Sequence, residues 1–235
     1  MPSLLQLPRK VAGYLFFDDS YEKYYSSLTW DQRYNSSSNL WSSKENPRYA
    51  TIVTFIRECA HHGTVLDAGC GDGLLEERCR TLESRILGID YSWVAIAKAK
   101  QRQLNNCEFI CADARTFSST EKFSAIVFNE SLYYISGYLE SLRILVHRLQ
   151  DHGVFIISMY DTRVTRRIWK ALEADFDPLS EVRVGSGPSW TIRVLRPLTT
   201  FETPLSGSGT GQNQFLQPCR PVPFPGKNRT EKISP

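Results

Sequence analysis

The stretch VLDAGCGDG, residues 65–73, constrains this chain more than any other. The apolar pair Val65-Leu66 meets an acid at Asp67. Glycines then alternate at Gly69, Gly71 and Gly73, and a segment rich in Leu and Glu follows. That order reads as strand, glycine turn, helix. Glycines lack a Cβ, so they accept positive φ and let bare backbone N–H groups approach a nucleotide-like ligand. The rest of the chain is read by asking what this loop holds.

With 235 residues and 41% apolar composition, one domain with a full-sized core is expected. Charge is nearly balanced, 28 Lys+Arg against 25 Asp+Glu. Residues 198–235 hold four basic and two acidic residues, which is +2 of the net +3, so the body carries about +1. Nothing in that balance demands a polyanionic partner; charge alone does not exclude nucleic acid, but so weak a positive charge does not favour it. The opening MPSLLQLPRK has a short apolar run broken by Pro8, which is not the pattern of a secretory signal. The apolar runs elsewhere are strand-sized and too short to span a bilayer. Six cysteines show no CxxC pair, so free thiols and a cytoplasmic location are the expectation.

Three regions emerge. Residues 1–46 read as a lid or cap segment, 47–197 as the main domain, and 198–235 as a disordered tail rich in Pro, Gly and Ser. The first region carries Tyr21, Tyr24, Tyr25, Trp30, Tyr34 and Trp41 with little periodicity. Its WDQRY block (30–34) reads as a short helix that supplies aromatic walls to a pocket. A helix over 47–60 begins at Pro47 and stops at Gly63. Strands are expected over 64–67, 85–89, 108–111, 124–128 and 154–158. Helices are expected over 74–82, 93–103, 139–149 and 165–176, with Ser92 capping the second. A turn is expected at 151–153. Two runs, 181–184 and 191–195, read as a closing hairpin. The fold class is therefore α/β: a doubly wound, mainly parallel seven-stranded sheet with an antiparallel C-terminal hairpin and helices on both faces.

A glycine loop alone is a weak signal, but acids stand at the ends of the next two expected strands. In such a sheet these ends open on one edge. Asp90 can accept both hydroxyls of a ribose, Asp113 can accept from an exocyclic adenine amine, and Asp67 sits where a cationic amine fits. No Lys follows the loop, so it is not a P-loop. Asp72 in the loop opposes a pyrophosphate. The residues describe an adenosine with a positively charged, phosphate-free tail.

VLDAGCGDG, GIDYS (88–92), CADA (111–114) and NESLYYI (129–135) together resemble the motif series of class I, seven-β-strand S-adenosylmethionine-dependent methyltransferases. Four motifs occur in the family's order over about two thirds of the chain. One departure is His152-Gly153, where the family often has Pro-Gly. The resemblance implies S-adenosyl-L-methionine as cofactor. It implies that Asp67, Gly69, Cys70 and Gly71 line its methionine part, that Asp90 holds the ribose with Tyr91 beside the adenine, that Asp113 and Ala114 meet the adenine edge, and that Asn129 approaches from the fourth strand. WDQRY also resembles the covering segment of small-molecule members, in which Arg33 would pair with the cofactor carboxylate. A surface Arg paired with Asp31 or Glu22 is the alternative.

Methyl transfer from a sulfonium needs alignment and water exclusion, and a general base only where the acceptor keeps a proton. Candidates are Glu130, Tyr133 and Tyr134, then Tyr160 and Asp161, each also readable as pocket lining or cap. His147 reads as a helix-surface residue. The adjacent His61 and His62 have no third ligand at useful spacing, so no metal is assigned. Aromatic lid and tyrosines favour a small, flat or cationic acceptor, in specialised metabolism. A methyltransferase acting on protein or RNA, and a cofactor-binding protein of this fold without transfer, remain alternatives. Oligomeric state is not legible.

Overall fold

The structure is a computed structural model, and it describes residues 26–36, 46–187 and 189–198. Tyr21, Tyr24, Tyr25, Trp41 and the 199–235 part of the expected tail lie outside the described residues. The elements are α1 (Ser27–Ser36), α2 (Asn46–Cys59), β1 (Thr64–Ala68), α3 (Leu74–Arg78), β2 (Arg85–Asp90), α4 (Trp93–Gln101), β3 (Cys107–Cys111), β4 (Phe123–Asn129), a 3₁₀ turn (Leu132–Tyr134), α5 (Tyr138–Val146), β5 (Leu149–Tyr160), α6 (Arg163–Leu172), β6 (Phe176–Val184) and β7 (Trp190–Pro197).

One seven-stranded sheet has the order β3-β2-β1-β4-β5-β7-β6. β1 to β5 pair in parallel, and β7 lies antiparallel to both β5 and β6. This is the mainly parallel sheet with a C-terminal hairpin read from the sequence. Strand residues alternate between faces. Leu66, Leu87, Ile126, Phe128 and Phe155 pack with Leu142, Leu145, Ile168 and Leu172 of α5 and α6. Val65, Ile86, Ala125, Val127 and Ile156 pack with Tyr49, Ile52 and Ile56 of α2. Both faces are covered, which is why these strands are apolar throughout.

The chain runs outward from β1 through β2 to β3 and then returns to β4 on the other side, so the order reverses between β1 and β4, and that reversal opens a crevice at the carboxyl ends of the strands. The register fixes what meets there: Ala68 pairs with Ile89, Asp90 with Cys111, and Asn129 with Ser158.

Several boundaries differ from those expected. α3 is five residues long and ends at Arg78, because the Cys79 N–H already closes back on the Leu75 and Glu76 carbonyls. The turn expected at 151–153 lies inside β5. Leu149 pairs with Phe123, the chain bulges with His152 at φ 65°, and the ladder resumes at Val154. α6 stops at Leu172, and Phe176 already belongs to β6. Pro178 is accommodated because β6 is an edge strand with a register shift at that point. Cys59, Cys70, Cys79 and Cys107 are free thiols, whereas Cys111 is disulfide-bonded, contrary to the expectation of thiols throughout.

Candidate functional site

The loop after β1 is built as its glycines require. Gly69, Gly71 and Gly73 have φ of 91°, 59° and 79°. A Cβ on Gly69 would collide with the Ser131 side chain, and one on Gly71 would lie 2.5 Å from the Tyr34 hydroxyl oxygen. Backbone N–H groups of Gly69 and Cys70 donate to the Ile89 carbonyl at 2.8 and 3.0 Å, which staples the loop to β2.

Beside it lies a cavity of about 350 Å³, lined by Trp30, Tyr34, Gly69, Asp90, Tyr91, Ala112–Arg115, Asn129–Ser131 and Tyr134–Ser136 among others. Asp90 stands at the end of β2. Its Oδ2 accepts from Gly71 N at 2.9 Å and its Oδ1 from Ser92 N at 2.8 Å. Burial raises its pKa to about 6, against the pull of those two N–H donors. Each oxygen keeps a second lone pair for a hydroxyl. Asp113, after β3, is gripped by Arg115, whose Nη2 lies 2.7 Å from Oδ2 and whose Nε lies 3.0–3.1 Å from both oxygens. The pair forms one wall with Ala112 and Ala114. Arg115 had no part in the sequence reading; two residues from Asp113, it had only proximity to signal it.

At the end of β4 the backbone turns sharply. Glu130 has φ 60°, a left-handed conformation uncommon for a residue with a side chain. The turn puts a 7%-exposed carboxylate on the cavity wall. Tyr133 Oη donates to Glu130 Oε2 at 2.8 Å, and Ser158 Oγ to Oε1 at 3.4 Å. Tyr133 is thus behind the wall, holding Glu130, while Tyr134 is on it and packs edge-on against Trp30, ring centres 5.1 Å apart. Ser131 Oγ donates to the Ala68 carbonyl at 2.5 Å, tying this turn to the glycine loop.

The aromatic helix α1 closes one side. Asp31 is buried and accepts from Ser92 Oγ and, at 3.3 Å, from Val94 N, so it caps α4 from another element. Lys98 Nζ donates to the Tyr34 carbonyl. These anchors seat Trp30 and Tyr34 on the cavity. Burial holds the Tyr34 hydroxyl well above its usual pKa, so it stays protonated.

Asp67 and Glu76 lie under the loop, 1% and 0% exposed, and neither lines the cavity. The two carboxyls face each other as hydrogen-bond partners, and no other side chain among the described residues bonds their four oxygens. Burial raises Asp67 to about 7; burial and then the Asp67 charge hold Glu76 well above the carboxylate range. The pair therefore retains a proton at neutral pH. Asp67 faces this partner rather than the cavity, because the strand turns its side chain under the loop. Glu76 was missed; an Asp67 with no cation near it in sequence was the available signal.

Of the other residues singled out, Gly69, Asp90, Tyr91, Asp113, Ala114, Asn129, Glu130 and Tyr134 share the cavity, and Cys70 and Gly71 sit behind it in the loop. Arg33 is not on the wall; its guanidinium lies over the Trp30 ring, 4.9 Å from its centre. Asp161 accepts from Ser189 Oγ and Thr191 Oγ1, both at 2.6 Å, and pairs with Arg183 at 2.8 Å, so it braces the β6–β7 hairpin. Tyr160 packs on Trp190. His147 terminates α5. Asp72 is neutralised by Arg102 at 3.1 Å. Glu83 joins His61 and His62 at the opposite edge, a third group that sequence spacing did not provide. His62 Nδ1 already lies 2.7 Å from Glu83, and both are about two-thirds exposed, an ordinary surface pair.

The sheet order, the glycine loop and the acids closing β2 and β3 define a class I S-adenosylmethionine-dependent methyltransferase. The chain belongs to the nodulation protein S (NodS) family, whose family model matches residues 25–176. It is 27% identical over 139 residues to nodulation protein S of Bradyrhizobium diazoefficiens, covering 57% of this chain and 66% of that one. It is 37% identical over 101 residues to trans-aconitate 2-methyltransferase of Escherichia coli O7:K1, covering 41% and 39%. The chain thus spans from about two fifths to two thirds of the length of these curated relatives. The solved N-methyltransferase NodS of Bradyrhizobium japonicum WM9, in complex with S-adenosyl-L-homocysteine, superposes with a TM-score of 0.63 at 19% identity, over 77% of this chain and all of that one. Among the described residues no helix is long and apolar enough to cross a membrane.

Proposed function

We propose that this chain methylates an amine nitrogen of a small acceptor, with S-adenosyl-L-methionine as donor and Glu130 as the group that takes the acceptor's proton. The observation that carries the reading is the buried Glu130 carboxylate on the cavity wall, with Trp30 and Tyr134 beside it. Bound, the cofactor supplies a methyl group on a positively charged sulfur. The glycines hold the loop in left-handed turns, and Gly69 lines the cavity without a side chain, which leaves room for the cofactor's tail. The remaining lone pairs of Asp90 take the ribose hydroxyls, and Tyr91, Asp113 and Ala114 flank the adenine.

An amine reaches the site as an ammonium, which has no lone pair. Aromatic faces attract that cation, and Glu130 removes one proton from it, leaving the nitrogen lone pair free to attack. Tyr133 and Ser158 fix the carboxylate, and the buried wall excludes water. The relative's name, N-methyltransferase NodS, supports nitrogen as acceptor atom. A tricarboxylate such as trans-aconitate is disfavoured by Glu130, and Arg115 on the same wall is paired to Asp113. In this reading residues 1–46 form the cap, 47–197 carry donor and acceptor sites, and 198–235 take no part. The protein works in the cytoplasm on a biosynthetic small molecule and needs no nucleic-acid partner.

The test is calorimetric binding of S-adenosylmethionine to wild type and Asp90→Ala, followed by transfer of labelled methyl to a panel of small primary amines and their hydroxyl and carboxylate isosteres. Asp90→Ala is expected to abolish binding. Glu130→Gln is expected to bind the cofactor normally while kcat on amines falls by roughly 10²-fold or more. Transfer to carboxylates alone, or an unchanged kcat in Glu130→Gln, overturns the assignment.

A further inference from the structure

Arg48 is 1% exposed, the largest fully buried side chain among the described residues. It stands in the first turn of α2, where Arg48, Ile52 and Ile56 fall on one stripe. Its guanidinium carbon lies 4.5 Å from the centre of the Tyr49 ring and 5.8 Å from that of Trp190. Its positive charge also acts to lower the pKa of Asp67. Its Nη1 donates to Asn129 Oδ1, across 81 residues of sequence. A buried cation is costly to desolvate, and an apolar residue of similar size usually stabilises a core better. Its presence at the end of β4 therefore points to a task other than packing.

The chemistry of the two side chains dictates that task. A guanidinium has donors and no acceptor, so the Asn129 oxygen must be the atom turned toward it. The Asn129 Nδ2 group is then the one left for the cavity that this residue lines. We propose that Arg48 is a positioning residue: by holding Oδ1, it presents the Asn129 amide as a hydrogen-bond donor to an acceptor oxygen of the bound cofactor. Without Arg48 the amide is free to flip and offer its carbonyl instead. This rests on the cofactor reading above. The two are separable, because failure of wild type to bind S-adenosylhomocysteine strikes that reading, whereas the inference here is decided among variants of a binding-competent chain.

The experiment is a double-mutant cycle on S-adenosylhomocysteine affinity, measured by calorimetry with wild type, Arg48→Met, Asn129→Ala and the double variant, each checked for folding by circular dichroism. Each single variant is expected to weaken binding about tenfold, the loss of one buried hydrogen bond. The double variant is expected to lose about the same tenfold rather than a hundredfold. Arg48→Lys, which keeps a donor and the charge, is expected to recover most of the affinity. If Arg48→Met proves too unstable, Arg48→Gln replaces it in the cycle. Additive losses, or an Arg48→Met or Arg48→Gln variant that lowers the melting temperature and leaves affinity unchanged, overturn the proposal.

Discussion

Replacing Glu76 by Gln is expected to flatten the pH dependence of folding stability. In the folded chain Glu76 is fully buried beside Asp67 and holds its proton well above the ordinary 4.5. In the unfolded chain it ionises near that value. A carboxyl with a raised folded pKa contributes stability that is present below its unfolded pKa and is lost as pH rises. Between its unfolded and its raised folded pKa the folded wild type binds one more proton at Glu76 than the unfolded chain, a cost of about 1.4 kcal/mol per pH unit. Asp67, raised from 3.8 to about 7, adds a second such proton over most of that window, and Asp90, raised to about 6, a third over its lower part. Gln removes the Glu76 proton alone and still offers an N–H to Asp67. The variant should therefore gain on wild type by up to about 1.4 kcal/mol for each pH unit above the unfolded pKa, with the larger gain at the alkaline end. Urea unfolding followed by tryptophan fluorescence at stepped pH measures this directly. Parallel stability curves for the two proteins would refute the argument, since they would mean that Glu76 titrates alike in both states.

Other consequences are local. Gly71→Ala is expected to cost about 1–2 kcal/mol of stability and to weaken S-adenosylhomocysteine binding, because Gly71 has φ 59° and its Cβ would press on Tyr34; urea unfolding and calorimetry check it. Asp31→Ala removes the acceptor for Ser92 and Val94 and should cost about 1–2 kcal/mol while exposing Trp30, seen as a red-shifted emission. Asp161→Ala frees Ser189, Thr191 and Arg183 and should cost about 1–3 kcal/mol while cofactor affinity stays unchanged, which separates a hairpin brace from a base. Removing residues 199–235 is expected to leave cofactor affinity unchanged.

Local grammar made much of this legible. Period-two apolar runs, three glycines and acids at strand ends are signals written within a few residues of one another. They located the sheet, the loop, Asp90, Asp113 and the Asn129–Tyr134 turn. What spacing left unread is a side chain's direction, as distinct from its position. Asp90 ends β2 whereas Asp67 stands one residue before the end of β1, and one faces the cavity while the other is turned under the loop against Glu76. Tyr133 and Tyr134 are neighbours, and the 3₁₀ turn sends only the second to the wall. Arg33, read as a clamp, lies over Trp30.

The glycine loop and the succession of strands and helices were dictated by residues close in sequence, because backbone conformation and periodic burial are local properties. The partners of the site were not. Arg48 meets Asn129 across 81 residues, and Ser92 meets Asp31 across 61. Such pairings depend on which face of a helix is pressed on which strand end, and no spacing rule along the chain encodes that. The order of the chain therefore told what kind of ligand to expect of the loop, and packing alone decided how Asn129, Glu130 and Asp90 come to line one cavity.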